Sequence, residues 1–597
     1  MKVCAFCVLL ALVICSSCVE VPRARDAGGE KQISRIKDVL CYVVKPISST
    51  MRLPDSPPAD GEISTTLRIL ACRGEYEPAS FVLHALEDVR SLDLKASALK
   101  RKGRSIPSSA VDIKIVKCWY QSGNAWVSPK QDKSKRVLVP ELLLNDETLV
   151  KVDHHYQENY LKLKFPEGDK YVWTSNPEFD RDWEKKPLPI EEFPLRDSPV
   201  LLPVNIAKGT YQQFWITVKA PERAAPGIYT GKIDLSTPEG YLGAITVKLR
   251  ILPFALSRPK TNYDISQDFI CSVYTHSIVY PDGKGNINNA AKTEEQYRAE
   301  QKNLLAHGVT SPVMLYPVLL ARQLEIRKEV GLGAGPLFID NAPAFRFRET
   351  VDSFDQSKRK RIQDTVKGML KVARDFGISD VYIYGWDERR GAELLAMKSV
   401  YKAIQEAGAK TFVAGFPGQF EALGDALDIS NMGPYLGRNK EEAERWHKIG
   451  SKITCYSLPF AGVENPEIYR RNYGLLLWKA NYDGAMNFSY WWPTGYIWND
   501  FDYPSARSHS FVYPTANGVI DTLAWEGYRE ALDDVRYATT LRLAIEKGKK
   551  SGDAEMRKAS LSAGEWLDGV DIQKADLDTV RLKMIDHILD LSGKRKK

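Results

Sequence analysis

Two adjacent acids, Asp387 and Glu388, follow an apolar run in the stretch "DVYIYGWDERRG", residues 380–391. Two carboxyl groups this close cannot both ionise freely, because the charge of one raises the pKa of the other. One acid can therefore keep a proton near neutral pH while its neighbour is charged, which suits acid–base chemistry. The alternative is a solvated turn in which Arg389 and Arg390 serve as counterions.

The segment around these acids alternates strand-like and helical patterns. Between residues 259 and 535, short apolar runs such as "DVYIYGW" and "AMNFSYWWP" alternate with helical periods that end at Gly308 and Gly377. Repeated βα units predict a parallel sheet, and their number favours a (β/α)8 barrel. In such a barrel the chemistry lies at the carboxyl ends of the strands, where the two acids fall.

The remaining chain divides by composition. Residues 35–256 alternate apolar and polar positions in short runs separated by Gly, Pro, Asp and Asn, which predicts an antiparallel β-sandwich. Residues 536–597 are helical in pattern and end in the basic tail "GKRKK". The predicted fold class is multidomain, β plus α/β: an N-terminal antiparallel β-sandwich, a (β/α)8 TIM-type barrel and a C-terminal helical extension.

The N-terminus is typical of an export signal. Residues 1–18 combine Lys2 with the apolar run "VCAFCVLLALVIC" and then small residues, and residues 19–34 form a polar tether. The ending "CSSC" resembles a bacterial lipoprotein signal with Cys18 as the lipid acceptor, although Cys15 stands where Leu is usual. Lipid anchoring in the cell envelope is therefore expected, with simple cleavage and release to the periplasm or medium as the alternative.

The composition limits the classes of partner and cofactor that the protein is expected to bind. The formal charge of +7 arises from 83 basic and 76 acidic residues that are interspersed, so no nucleic-acid surface is expected. The cysteines beyond the leader form no CxxC pair and the histidines show no metal-ligand spacing, so neither a metal nor another cofactor is expected. Apart from the lipid anchor, no segment predicts membrane contact.

The last strand candidate offers further site residues. Strand parity puts Ala485, Asn487, Ser489 and Trp491 on one face, which we assign to the barrel interior, with Asn487 pointing inward or held as a satisfied buried amide. By their positions at strand ends, aromatic residues are expected to wall the site: Trp386, Tyr435, Trp491 and Trp492. The same parity would separate the side chains of Asp387 and Glu388, so both can face one site only if a turn or bulge breaks the strand.

Paired carboxylates of this kind suit glycoside cleavage. The usual designs place two acids about 5 Å or more apart to flank the sugar ring, which adjacent residues cannot easily do. Adjacency suits a different route, in which the acetamido group of a 2-acetamido sugar attacks the anomeric carbon. One acid then protonates the leaving oxygen and its neighbour holds the acetamido N–H.

Several stretches resemble family 123 of the glycoside hydrolases, the β-N-acetylgalactosaminidase-like group, or its wider uncharacterised relatives. "RGEYEPASFVLHA" and "APGIYTGKIDL" resemble its sandwich, "YIYGWDE" its catalytic strand end, and "NFSYWWPTGYIWND" with "YPTANGVIDTLAWEGYREALDDVRY" its C-terminal signature. The resemblance covers nearly the whole mature chain. It implies an exported enzyme that removes terminal β-linked N-acetylhexosamine, chiefly N-acetylgalactosamine, from a glycan or glycoconjugate, with retention through an oxazolinium intermediate.

The resemblance also implies roles for the acids and raises one difference. Glu388 would be the acid/base, and Asp387 would orient and stabilise the acetamido nucleophile. The family-like signature usually carries an Arg where this chain has Ala524. Arg529 lies nearby and could take the place of this Arg. An ion pair with Glu526 or Asp533 on the same helix is an equally good interpretation of Arg529.

Two other functions remain open at this stage. A related barrel enzyme could act on a sugar without the acetamido group, using Asp268, Glu421 or Asp500 as a second carboxylate. A non-catalytic, carbohydrate-binding surface lipoprotein would also explain the many aromatic residues and the anchor.

Overall fold

The first half of the described chain folds into β-sheets. The computed structural model describes residues 36–130, 132, 134–175, 187–314, 317–340, 354–433, 439–492, 496–498, 501 and 507–593. The strands of this half are β1 (Val39–Val44), β2 (Glu62–Ile63), β3 (Thr66–Ala71), β4 (Tyr76–Ala85), β5 (Val89–Ala96), β6 (Leu99–Arg101), β7 (Arg104–Ile106), β8 (Val111–Ser122), β9 (Arg136–Leu144), β10 (Val150–Asp153), β11 (Glu158–Phe165), β12 (Gly168–Trp173), β13 (Val204–Ile206), β14 (Tyr211–Lys219), β15 (Gly227–Thr237) and β16 (Gly240–Ile251).

Two large sheets make the sandwich. One has the order β2-β1-β4-β14-β8-β9, and the other runs β13-β5-β15-β16-β3 with β6 and β7 attached beside β15. Inward-facing residues of the first sheet stack in the core, as Phe81 does on Phe214 with ring centroids 5.2 Å apart. The predicted antiparallel sandwich is confirmed, with one parallel pair, β16 with β3. A three-stranded sheet, β10-β11-β12, is added to it.

The second half contains a closed barrel of eight parallel strands, in the order β17-β20-β21-β22-β23-β24-β25-β26. Because each strand is followed by helical or loop segments that cover the outside, both faces of the strands are buried. The strands of this half are β17 (Ile270–Thr275), β18 (Ile278–Val279), β19 (Ala291–Lys292), β20 (Val313–Met314), β21 (Leu337–Ile339), β22 (Val381–Tyr384), β23 (Lys410–Gly415), β24 (Ile429–Met432), β25 (Lys452–Cys455), β26 (Gly484–Asn487), β27 (Val512–Pro514) and β28 (Val519–Asp521). The predicted barrel is therefore confirmed.

Helices surround the barrel and form the C-terminal extension. They are α1 (Glu294–Ala306), α2 (Leu320–Glu329), α3 (Gln356–Asp375), α4 (Gly391–Glu406), α5 (Gln419–Leu423), α6 (Asn439–Lys448), α7 (Pro466–Arg471), α8 (Leu477–Lys479), α9 (Leu523–Lys549), α10 (Ala554–Gly569) and α11 (Leu577–Leu591). Helix α9 runs without interruption through position 535, where the sequence suggested the end of the barrel domain. Thr522 caps it by accepting a hydrogen bond from the N–H of Trp525.

The sandwich and the barrel share buried contacts. Trp119 of β8 meets Tyr513 of β27 edge-to-face, with centroids 5.2 Å apart. Tyr537 of α9 donates a 3.0 Å hydrogen bond to Glu75, just before β4. Residues 35–597 form one compact unit. No helix within the described ranges combines the length and the hydrophobicity needed to span a bilayer.

Candidate active site

The two adjacent acids lie at the barrel mouth, where β22 ends irregularly. The N–H of Gly385 donates to the carbonyl of Phe412 at 3.0 Å, and the N–H of Glu388 donates to the carbonyl of Ala414 at 3.2 Å. Three residues on this strand thus match two on β23, which is the extra residue of a bulge. Glu388 has a φ of 52°, in the left-handed region. The irregularity that both acids require is therefore present.

Gly385 allows this turn because no side chain fits there. A Cβ at this position would lie 1.7 Å from the hydroxyl oxygen of Tyr401, which reaches in from α4. Any larger residue would displace Tyr401, which is fully buried. The glycine before the acids is thus required by close packing.

Asp387 is held by the last residue of its own strand. The hydroxyl of Tyr384 donates to Oδ1 of Asp387 at 2.6 Å and itself accepts from the N–H of Ala414 at 3.1 Å. Loss of hydration raises the pKa of Asp387 to about 6; the bond from Tyr384 opposes this rise and the charge of Glu388 adds to it. Near neutral pH this carboxyl group can therefore exist in either charge state.

Glu388 is held from across the mouth. The hydroxyl of Tyr456, which follows β25, donates to Oε1 of Glu388 at 2.6 Å. Strands β22 and β25 are the fourth and seventh of the barrel order, so this bond spans the opening. Both residues are exposed overall, although the carboxyl group of Asp387 itself is largely shielded from water, which is why its pKa rises.

Neither neighbouring arginine forms an ion pair with the two acids among the described residues, although the charge of Arg389 lowers the pKa of Asp387 in part. Arg389 donates through Nε to the backbone carbonyl of Asp387 at 2.7 Å, and its guanidinium lies 4.5 Å from the ring centroid of Trp386. Arg390 stacks on Phe416 at 3.9 Å. Within the described residues neither Asp387 nor Glu388 forms an ion pair, since the guanidinium groups are engaged elsewhere.

A third acid, Asp340, follows β21 at the same end of the barrel, and sequence reasoning missed it. Its N–H donates to the carbonyl of Met314 at 2.7 Å. Its negative charge contributes to the raised pKa values of Tyr274 and Tyr384, after the larger effect of burial. A carboxylate directly after the apolar run "PLFI" was a usable signal for a strand-end acid.

The predicted aromatic wall is only partly assembled. Trp386 is half-buried beside the acids, under Arg389. Trp492 is half-buried, with its ring 4.1 Å from that of His276 and 5.9 Å from that of Phe488. Tyr435 lies outside the described residues.

Trp491 belongs to the packed interior instead of the open mouth. It is 1% exposed, its indole N–H donates to the hydroxyl of Ser277 at 3.0 Å, and the ammonium of Lys292 lies 4.4 Å from its ring centroid. Every part of the indole is thus occupied by protein groups, whereas a sugar platform needs one free face.

The assignment of faces at β26 is corrected. Asn487 pairs in register with Val273 and lies on the strand face opposite to Phe488, and its amide donates to the carbonyl of Pro459 in the loop after β25 at 2.8 Å. Phe488 faces inward instead, with its ring 5.6 Å from that of Tyr274. All four residues of β26 are buried, so the polarity of its side chains does not distinguish the inner face of the barrel from the outer one.

Ala524 and Arg529, the two residues of the C-terminal signature discussed above, are both buried at the start of α9. Ala524 is 2% exposed within the apolar core, and Arg529 forms a buried ion pair with Glu526. A possible set of metal ligands lies close by, because one ligand atom from each of His307, Asp521 and Glu526 lies within 4.8 Å of the other two. Lys114 lies 3.7 Å from Asp521, however, so cations of the chain already neutralise this cluster.

The fold joins a β-sandwich to a (β/α)8 barrel, and two adjacent acids lie at the mouth of the barrel. Neither a protein-family model nor a curated protein sequence matches this chain. The solved structure of a family 123 glycoside hydrolase from Clostridium perfringens, described for glycolipid glycan hydrolysis, aligns over 93% of this chain and 97% of its own, with a TM-score of 0.58 and 13% identity. The predicted resemblance to family 123 is thus confirmed at the level of the fold.

Two other solved structures align more weakly. A GH5 xyloglucanase from Bacteroides ovatus has a TM-score of 0.27 and 8% identity over 79% of this chain and 98% of its own. An endo-β-N-acetylglucosaminidase from Cordyceps militaris has a TM-score of 0.27 and 9% identity over 45% of this chain and 90% of its own.

Proposed function

We propose that the protein is a glycoside hydrolase that removes terminal β-linked N-acetylhexosamine, with N-acetylgalactosamine as the preferred sugar. The observation that carries this proposal is the bulged strand end, where Asp387 and Glu388 each accept a 2.6 Å hydrogen bond from a tyrosine. Adjacent, reachable and without ion pairs among the described residues, these acids suit a reaction in which the substrate supplies the nucleophile.

In the first step the acetamido oxygen attacks the anomeric carbon as the glycosidic bond breaks. Glu388 gives its proton to the leaving oxygen, and an oxazolinium ion forms. Asp387, ionised above a pKa of about 6, accepts the acetamido N–H and balances the positive charge of the ring. In the second step Glu388 takes a proton from water, which attacks the same carbon and opens the ring with net retention.

Tyrosines fit the two roles because they orient a carboxyl group without adding charge. The bond from Tyr456 to Oε1 leaves Oε2 of Glu388 for proton transfer. The bond from Tyr384 to Oδ1 leaves the other oxygen of Asp387 for the acetamido N–H.

A panel of aryl β-glycosides tests this function. Hydrolysis of the N-acetylgalactosaminide, with the galactoside lacking the 2-acetamido group as the matched control, is expected to differ by several orders of magnitude. A thiazoline that mimics the oxazolinium ion should inhibit competitively. Equal rates on the matched pair, or no thiazoline inhibition, would contradict the acetamido mechanism.

A second candidate is a glycosidase for sugars without that group, and Asp340 favours it. The acids first considered for the second role are poorly placed: Asp268 pairs with Lys260 at 2.7 Å before β17, at the opposite end of the barrel, and Glu421 pairs with Arg445. Asp500 lies outside the described residues. Activity on the galactoside that disappears in Asp340→Asn would support this candidate, whereas binding without any product would support a non-catalytic glycan-binding protein.

We also propose export with a lipid anchor on Cys18, which lies outside the described residues. The support is the leader in residues 1–18. Mass spectrometry of the mature N-terminus should find a diacylglyceryl group on Cys18. An unmodified terminus produced by cleavage would support release to the periplasm or medium instead.

A further inference from the structure

The outer face of the six-stranded sheet carries a cavity of about 140 Å³, and none of the described residues that line it belongs to the barrel. The segment around Arg52, strands β4, β8 and β14, and the end of β10 with His154 enclose it. The residues that line the cavity include Val82, Val116, Lys117, Val152, Tyr211 and Gln213.

The size of the cavity indicates one small guest. A cavity that holds a single water molecule needs a volume of roughly 10–15 Å³, so this cavity is far larger than a structural water site. Sites for drug-sized ligands usually measure about 300–1,000 Å³. A volume of about 140 Å³ therefore suits a single ring better than an extended chain.

The side chain of Gln213 carries a buried hydrogen-bond acceptor that lacks a donor in the described part of the chain. It is 5% exposed, and its Nε2 donates to the hydroxyl of Ser80 at 3.0 Å, which fixes the amide. Its Oε1 has no hydrogen-bond partner among the described residues. A buried acceptor without a donor is unfavourable, and a hydroxyl group in the cavity would satisfy it.

The charges in the lining already have partners. Arg52 donates to Asp60 at 3.0 Å and to the carbonyl of Lys45 at 2.7 Å. Lys117 pairs with Glu147. Because these charges are balanced inside the protein, the cavity favours a neutral guest that both donates and accepts hydrogen bonds.

Apolar surface lies beside these polar groups. Val82, Val116 and Val152 contribute methyl groups, and the ring of Tyr211 is held by stacking on His84 with centroids 4.3 Å apart. A sugar ring has this division between hydroxyl edges and C–H faces. We propose that the cavity is a second, non-catalytic site that binds one neutral sugar residue, independently of the acids at the barrel mouth.

Methyl NMR can test this because valines line the cavity. In a valine- and leucine-labelled chain carrying Glu388→Gln, galactose and N-acetylgalactosamine are titrated separately. At least one is expected to shift the signals of Val82, Val116 and Val152 in a saturable manner, with a dissociation constant of about 1 mM. Leu458, two residues after Tyr456, reports separately on sugar bound at the barrel mouth.

Two variants give the proposal its specificity. Gln213→Leu keeps the size but removes the acceptor, and should weaken the binding about tenfold. Val152→Phe fills the cavity and should abolish the valine shifts, while Gln573→Leu on the surface should change nothing. With Glu388 intact, neither cavity variant should alter the hydrolysis of an aryl N-acetylgalactosaminide.

Three results would overturn the proposal. One is the absence of saturable valine shifts with both sugars in a folded chain. Another is shifts that persist unchanged in Val152→Phe. The last is a response to inorganic phosphate alone, which would mark an anion site. None of these outcomes depends on whether the barrel hydrolyses glycosides.

Discussion

Asp387 and Glu388 at the barrel mouth each accept a hydrogen bond from a tyrosine hydroxyl, whereas Glu530 and Asp534 of α9 are paired with the guanidinium of Arg581. The first two are exposed at the residue level. The α9 acids are 1% and 0% exposed, and each lies 2.6 Å from Arg581.

The difference fits the role that we propose for each pair. A buried charge is tolerated only with an opposite charge and hydrogen bonds, so the acids of α9 need Arg581 to hold the C-terminal helices in place. A guanidinium at bonding distance would also favour the charged form of a catalytic acid and hinder proton transfer. A phenol fixes the geometry while adding no charge, which leaves the proton free to move.

The largest expected effect is at Glu388. Glu388→Gln keeps the size and the acceptor for Tyr456 but removes the transferable proton, so kcat on a poor leaving group should fall roughly 10³-fold. Steady-state kinetics with an alkyl and an activated aryl glycoside measure this loss. The fall should be smaller with the activated aryl group, which needs less protonation.

The control for this variant is Glu393→Gln, a few residues along on α4. Its carboxylate lies 3.5 Å from Arg389 and is exposed. Its rates should equal those of the wild type. A comparable loss in both variants would mean that charge around the mouth, not proton transfer by Glu388, limits the rate.

Removing the arginine that pairs with the buried acids of α9 should lower the stability of the protein and leave its activity unchanged. Arg581→Met removes one of the two guanidinium partners of Asp534, which keeps Arg470, and leaves Glu530 with only the more distant Arg529 at 3.8 Å. The free energy of unfolding should therefore fall by about 3 kcal/mol. Urea denaturation measures it, and kcat per folded molecule should be unchanged. The exposed pair of Lys549 with Glu546 provides the control, since Lys549→Met should cost about 0.5 kcal/mol or less.

Asp387→Asn should lower kcat/KM roughly 10²-fold, because an amide cannot balance the charge of the oxazolinium ion. The pKa of about 6 adds a pH test. Asp387 must be ionised to act, so wild-type kcat/KM should fall as pH drops through about 6, and the variant should lack this fall. An unchanged acidic limb in Asp387→Asn would assign that limb to another group.

The smallest effect is expected at Tyr456. Tyr456→Phe removes the bond to Oε1 but leaves Glu388 in place, so kcat should fall about tenfold with KM nearly constant. Tyr280→Phe, at an exposed tyrosine, is the matched control. A loss expressed only in KM would instead make Tyr456 a substrate-binding residue.

The sequence predicts those features of the site that depend on residues close to Asp387 along the chain. The apolar run before Asp387, the glycine at 385 and the βα rhythm together indicated a strand end at a barrel mouth and the need for a bulge. Tyr384 was also within reach, since it stands three residues before Asp387 in the quoted stretch.

What could not be predicted depended on distant neighbours. Tyr456 lies 68 residues from Glu388, and only barrel closure brings them together. The orientation of Asn487 depended on register with Val273, because polarity carries no signal in a strand buried on both faces. The sequence around Trp491 does not distinguish a tryptophan packed in the interior from one that binds a sugar ring.

The contact between Arg581 and Glu77 joins residues 504 positions apart in the chain. At roughly 5–20 residues per second, synthesis would deliver Arg581 about 25–100 s after Glu77. During that interval Glu77 lacks this guanidinium partner. The burial of its side chain between the sandwich and the C-terminal helices is therefore complete only when the last helix is present.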